Sequence, residues 1–241
     1  MNSKSNFYFP VPGILESGRV QLTPFSTSAH ANLFIEQSLL YPQIFDYLPF
    51  GPFKDTNDFI DNFIATRIDP DPGYILFAVW DKTKSNGAEG NGAFAGLIGL
   101  INTSKVNLST EIGCVMILPP FQRTHITSNA VGLLLKYALN LPSVQPGALG
   151  LRRVVWQANV MNAASIRTAE RMQFRREGTL RWDRLLPEHK SHLGAGNGKK
   201  VRDGDPRSAC VGRDTALLGL CWDDWEDGAR DKVEAIMERL R

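Results

Sequence analysis

The spacing of hydrophobic and polar positions changes repeatedly along the chain, and each change marks an element. GRVQLTPF (18–25) alternates and predicts a first strand. STSAHANLFIEQSLLY (26–41) opens on capping residues and then carries apolar positions at helical spacing. Pro42, Pro49, Gly51 and Pro52 punctuate the next stretch. DTNDFIDNFIATRI (55–68) then sets Phe59, Ile60, Phe63 and Ile64 on one helical face behind an Asp or Thr cap. DPDPG (69–73) breaks that helix, and YILFAVWD (74–81) is a short apolar run of strand type. A polar loop containing Asn-Gly (82–92) leads to AFAGLIGLIN (93–102), and a second turn leads to STEIGCVMIL (109–118). Successive antiparallel hairpins are the economical arrangement of these runs.

In the second half, a helix is expected from Ser128 to Asn140, stopped by Pro142. LRRVVWQAN (151–159) is β-branched and reads as a buried strand, NAASIRTAERM (162–172) as a helix behind an Asn cap, and FRREGTLRWDRLL (174–186) as strand again. Residues 187–213 are rich in Gly, Lys and Asp and are expected to form a mobile loop. DTALLGLCW (214–222) is a last strand. The closing helix carries Val233, Ile236, Met237 and Leu240 at i, i+3, i+4 and i+7. This order predicts an α/β (α+β) fold with a mixed, mostly antiparallel sheet flanked by helices. The chain reads as one domain over 1–241, with a core of about 18–240.

Composition narrows the function little. The chain has 241 residues, 43% of them hydrophobic and 22% charged, as in an ordinary globular protein. A net charge of +2 gives no general pull toward nucleic acid or membrane, and KKVRDGDPR mixes both signs. Cys114, Cys210 and Cys221 are odd in number and scattered, which argues against a disulfide framework or a zinc site. The first residues lack the apolar run of a signal peptide, and the expected compartment is the cytoplasm. His30, His189 and His192 read as solvated, Trp182 and Trp222 as core or pocket wall. Asp223, Asp224, Glu226 and Asp227 read as the solvated start of a helix rather than a metal site.

One stretch carries chemistry. PPFQRTHITSN (119–129) sets a polar run without glycine between a double proline and an apolar helix. Helix N-termini present unpaired N–H groups and a partial positive charge, which suits phosphate, and Arg123 can pair with one directly. A capped helix after a surface turn accounts for the same residues, so on this stretch alone both readings stand.

The neighbouring residues add a resemblance. EIGCVMILPPFQRTHITSNAVGLLL followed by VVWQANVMNAASIRTAERMQFRREGTLR is similar to the GNAT N-acetyltransferase superfamily, and most of all to its ribosomal-protein-alanine acetyltransferase-like branch. The matches are Glu111-Ile112-Gly113, Gln122-Arg123-Thr124, Asn162 with Ser165, Phe174, and Glu177-Gly178 with Arg181. The chain departs from the family where His125 and Thr127 stand at the usual glycines of the pyrophosphate loop, and where Gln173 replaces a helix-ending glycine. Glycine there would permit close backbone approach to phosphate.

The resemblance implies a GNAT fold with a seven-stranded sheet and acetyl-coenzyme A in a notch between the family's splayed fourth and fifth strands. Met116, Ile117 and Leu118 would present backbone groups to the pantetheine arm, and Gln122, Arg123, Thr124, His125, Ile126 and Thr127 would hold the pyrophosphate. Asn162 would bond the arm, and Ser165 would lie near the sulfur and protonate the leaving thiolate. Attack by an amine needs a proton acceptor, for which Glu111 is the candidate, with Ile117 N–H facing the oxyanion. Read as residues alone, Glu111 is equally a surface strand glutamate, Ser165 a first-turn hydroxyl bonded to backbone, and Asn162 an N-cap. Strand alternation puts Cys114 on the face opposite Glu111 and Gly113. The implied activity is direct acetyl transfer in a ternary complex. The alternatives are a non-catalytic acyl-coenzyme A-binding protein, motivated by His125, and an O-acetyltransferase. The acceptor would be a small amine or a protein N-terminus, in a pocket bordered by 26–68 and 187–213, and the protein a monomer or homodimer.

Overall fold

A computed structural model describes residues 6–84 and 92–239. Most of the Asn-Gly loop expected at 82–92, and Leu240 of the last helix, lie outside them. The strands are β1 (Leu15–Glu16), β2 (Val20–Pro24), β3 (Ile75–Asp81), β4 (Ala93–Ser104), β5 (Ser109–Ile117), β6 (Arg153–Asn159), β7 (Arg175–Leu185) and β8 (Gly212–Cys221). They form one eight-stranded sheet in the order β1-β2-β3-β4-β5-β6-β8-β7. The added strand is β1, a two-residue edge piece paired with β2, too short to leave a pattern in sequence. Every pairing is antiparallel except β5 with β6.

The helices are α1 (Thr27–Ser38), α2 (Thr56–Phe59), α3 (His125–Leu139), α4 (Ala163–Arg171), α5 (Trp222–Asp224) and α6 (Arg230–Glu238). Asp55 caps α2 by accepting from Asp58 N at 2.8 Å. The helix then continues as π-helix over Ile60–Ile68, closing with Asp69 N to Ile64 O at 2.9 Å. α3 is apolar on nearly every side and is buried accordingly. Its Gly132 lies where an added Cβ would stand 2.2 Å from Met237 Sδ, so glycine lets α6 close onto it. The terminal helix is interrupted: Asp227 and Gly228 leave helical geometry between α5 and α6.

One departure from the expected pattern has a local cause. α3 begins at His125, not Ser128, because Thr124 is its cap: Thr124 Oγ1 accepts from Ile126 N at 3.3 Å and donates to Phe121 O at 2.6 Å. Glu177 of the Glu-Gly motif is bound through both carboxylate oxygens to Arg153, one contact being 2.7 Å. That pair spans β8 at Gly219, where a Cβ would sit 2.5 Å from Glu177 Oε1.

The segment 187–213 holds a 3₁₀ turn, Glu188–Leu193. Its Lys190 is fully buried and donates from one ammonium to the carbonyls of Phe45 (2.7 Å), Leu48 (2.8 Å) and Phe50 (2.6 Å). Burial pulls this amine down to about 8. Asn159 Nδ2 ties the same segment to β6 through Ala195 O at 2.7 Å.

Candidate functional site

The site begins with a defect in β5. Leu97 pairs with Met116 and Gly99 with Gly113, so Cys114 and Val115 together oppose Ile98 alone. This is a β-bulge, and Cys114 takes its left-handed residue at φ 50°. On its other edge β5 pairs with β6 only at Ser109–Arg153, Thr110–Val154 and Glu111–Val155. Beyond Glu111, ahead of the bulge, the two strands part. Successive backbone groups of a strand face opposite edges. Since Leu118 N–H bonds Ala95 O of β4 (2.9 Å), Ile117 N–H faces the gap toward β6.

Two cavities flank the gap. The first, about 540 Å³, is lined by Val115, Met116 and Ile117 of β5, by Trp156 of β6, and by the starts of α3 and α4. It gathers most of the expected cofactor residues: Met116, Ile117, Gln122, Arg123, Thr124, His125, Thr127, Asn162 and Ser165. Leu118 and Ile126 are not among them; both side chains are core, and Leu118 N–H is committed to the sheet. Gln122 turns back, donating from Nε2 to Ile117 O at 2.8 Å. Arg123 is the residue of this loop in the left-handed region, at φ 60°.

His125 and Thr127 lie within α3, so the missing glycines are not replaced at strained backbone positions. The His125 imidazole leans on Asp81, Nε2 to Oδ1 3.2 Å, with Thr83 N (2.9 Å) and Oγ1 (2.6 Å) on the same carboxylate oxygen. Arg123, Arg167, Arg171 and Arg239 border this cavity, a donor set that fits a polyphosphate nucleotide. At α4, Asn162 caps the helix, accepting from Ser165 N at 3.0 Å. Ser165 Oγ accepts from Trp156 Nε1 at 3.0 Å rather than bonding backbone, which leaves its own proton to donate.

The second cavity, about 340 Å³, takes in Glu111, Gly113 and Cys114 of β5 and Gln157 of β6. Glu111 is only 6% exposed, so it is not a surface glutamate. Tyr74 O–H donates to Asn102 Oδ1 (2.7 Å) and Asn102 Nδ2 donates to Glu111 Oε2 (2.8 Å), a chain that fixes the carboxylate through that oxygen. Burial raises Glu111 to about 7, against the opposing pull of Asn102, Arg184 and Arg213. A carboxyl near 7 is poised to exchange protons at neutral pH. The bulge brings Cys114 to the same cavity, correcting the alternation argument, and burial pushes its thiol up to about 12.

Trp156, Gln157, Tyr74, Asn102 and Arg213 were not singled out in the sequence. Alternation on β6 was the usable signal for the first two, since Trp156 and Gln157 point to opposite faces. Trp182 and Trp222 are 43% and 50% exposed, and so form no core. His30 is buried, its Nδ1 accepting from Ser26 N at 2.8 Å, where a solvated ring had been expected. Asp224 of the acidic cluster pairs with Arg175 at 2.7 Å. Among the described residues no helix is long and apolar enough to cross a membrane.

A parted pair of parallel strands, a helix start and arginines on one face, and a buried glutamate on the other together form the candidate site. The family described as "Acetyltransferase (GNAT) domain" matches residues 19–175, and the chain belongs to the GNAT acetyltransferase family. Among solved structures it is similar to a probable acetyltransferase of the GNAT family from Chromobacterium violaceum ATCC 12472, at 24% identity and TM-score 0.70, with 94% of each chain covered. It is also similar to a GCN5-related N-acetyltransferase from Brucella melitensis, at 23% identity and TM-score 0.72, covering 95% of this chain and 86% of that one. A spermidine N-acetyltransferase from Vibrio cholerae in complex with CoA and spermine shares 14% identity at TM-score 0.60, over 87% and 99% of the two chains. No curated protein matches the chain. Members of this family use acetyl-coenzyme A, and the first cavity fits it.

Proposed function

We propose that this protein is an N-acetyltransferase that works by direct attack in a ternary complex, with Glu111 as base. The observation that carries this reading is the division of labour across the gap. A polar, arginine-bordered cavity opens on one face, and a buried glutamate raised to about 7 lies in a separate cavity on the other. Acetyl-coenzyme A supplies the activated acetyl thioester when bound. Arg123 and the first turn of α3 would hold its diphosphate, and the backbone of Met116 and Ile117 its arm, beside Asn162. Ile117 N–H, facing the gap, would stabilise charge developing on the acyl oxygen. Glu111 would take a proton from the acceptor nitrogen, and Ser165 would donate one to the departing sulfur.

Placement in the ribosomal-protein-alanine acetyltransferase-like branch is part of the same proposal, supported by Gln122-Arg123-Thr124, Asn162 with Ser165, and Glu177-Gly178. The test is thiol release from acetyl-coenzyme A over a panel of amines and alcohols, with binding followed by calorimetry. Release with amines supports the reading. Tight coenzyme A binding without release across the panel would select a non-catalytic protein, and release with alcohols alone an O-acetyltransferase.

A further inference from the structure

Two residues that line the second cavity each carry a buried polar atom without a hydrogen-bond partner, Nε of Arg213 and Oε1 of Gln157. They are of opposite kind, one a cationic donor and one a neutral acceptor. Arg213 is 5% exposed, and of its donors Nη1 is given to Tyr47 O at 3.2 Å. Leaving such a group unsatisfied is costly, more so where it is charged, so an orphan on a cavity-lining side chain marks a place where a ligand can complete the bonding.

The charges around this pair have a sign. Arg67, Arg184 and Arg213 line the cavity against two carboxylates, Glu111 and Asp71. Asp71 Oδ1 is engaged by Gly73 N at 2.8 Å. Arg184 has Asp183 at 3.4 Å, and Arg67 lies over the Phe50 ring. Leu48, Phe50 and Phe63 supply the apolar wall. At about 340 Å³ the space is near the lower end for small-molecule pockets, room for a compact ligand.

We infer that the acceptor is a small amine bearing a carboxylate, of the amino-acid class, with Arg213 and Gln157 as its specificity-determining residues. The inference rests on the N-acetyltransferase reading above. Arg213 takes the carboxylate in a charge-assisted hydrogen bond, and Gln157 Oε1 accepts an N–H. The reacting nitrogen then lies on the side of Glu111. A polyamine would bring only positive charge to a wall of three guanidinium groups, and a protein N-terminus carries an amide where the carboxylate is needed.

The experiment measures thiol release by the full-length protein with matched acceptors: α-amino acids, the same amino acids as primary amides, their decarboxylated amines, and spermidine. The expected kcat/KM for the carboxylates exceeds that of the amides and decarboxylated amines by ~10–100-fold, the range for a charged hydrogen bond. Arg213→Gln should collapse that ratio and Arg213→Lys restore part of it, with thermal melting confirming that each variant is folded. The wild-type panel decides the matter even if neither variant folds. Equal or better turnover of amides, decarboxylated amines or spermidine overturns the inference while the N-acetyltransferase reading stands. No release with any amine overturns both.

Discussion

Glu111 and Cys114 face one cavity although they stand three positions apart along a strand, a spacing that in regular β structure puts side chains on opposite faces. The bulge at Cys114–Val115 reverses the alternation. It therefore places a thiol beside the candidate base, and the electrostatics of that neighbourhood disarm it.

Cys114 should be a poor nucleophile. With its thiol at about 12, the thiolate fraction at pH 8 is ~10⁻⁴, so alkylation should run roughly a thousandfold slower than for an ordinary exposed thiol. Peptide mass spectrometry after timed iodoacetamide treatment measures this. Labelling of Cys114 at an ordinary rate would reopen a covalent acetyl-enzyme.

Glu111 should set the acid limb of the rate profile. kcat/KM is expected to rise with pH up to about 7 and then level off. Glu111→Gln should remove that limb and slow transfer by ~10²–10⁴, the usual range for general-base assistance, with coenzyme A affinity kept. Unchanged kcat, with chemistry shown to limit turnover, would reject the assignment.

The same residue should tie folding stability to pH. Its folded value of about 7 lies above the ordinary 4.5, so between these values the native state holds the proton more often than the unfolded chain. Its stabilising contribution is full below 4.5 and is lost as pH rises through 7, a change on the order of 3 kcal/mol. Urea titrations across that window should show the decline in wild type, flattened in Glu111→Gln.

Arg123 should act on phosphate. Arg123→Ala is expected to weaken coenzyme A by ~10-fold or more, as for loss of a charged hydrogen bond, while a dephosphorylated pantetheine fragment loses little. Calorimetry on both ligands gives the comparison. Equal losses would mean that the side chain does not meet the diphosphate.

Gln173 should cost stability. It ends α4 in the left-handed region at φ 71°, with Phe174 N to Ala169 O and Gln173 N to Glu170 O, both 3.0 Å, closing a Schellman motif. Glycine adopts that geometry without strain, so Gln173→Gly is expected to gain about 0.5–1 kcal/mol, or ~1–4 °C in Tm. A lower Tm would show that the Gln173 Nε2 bond to Arg171 O, 3.0 Å, outweighs the strain.

Much of the fold was legible because strands and helices here follow their hydrophobic period: β3, β4 and β6 begin and end within about two residues of the expected runs. The start of α3 was misplaced because Thr124 caps it from within the polar run, where several residues qualify as caps. The lining of the first cavity by Gln122–His125, Thr127, Asn162 and Ser165 was legible because these residues fall in short local motifs. The lining of the second cavity was not. Glu111, Asn102, Gln157 and Arg213 come from four strands, and no local spacing links them. Cys114 was misread since a bulge has no hydrophobic signature of its own.

Lys190 does not border the second cavity, yet Leu48 and Phe50, whose carbonyls it gathers, form part of its wall. Three acceptors converging on one ammonium cannot be released one at a time: methionine at this position would orphan them together. The contour of that cavity is thus held from some 140 positions further along the chain. Grafting a different 187–211 segment into this scaffold, with Arg213 kept, should retune selectivity without altering any side chain that lines the cavity.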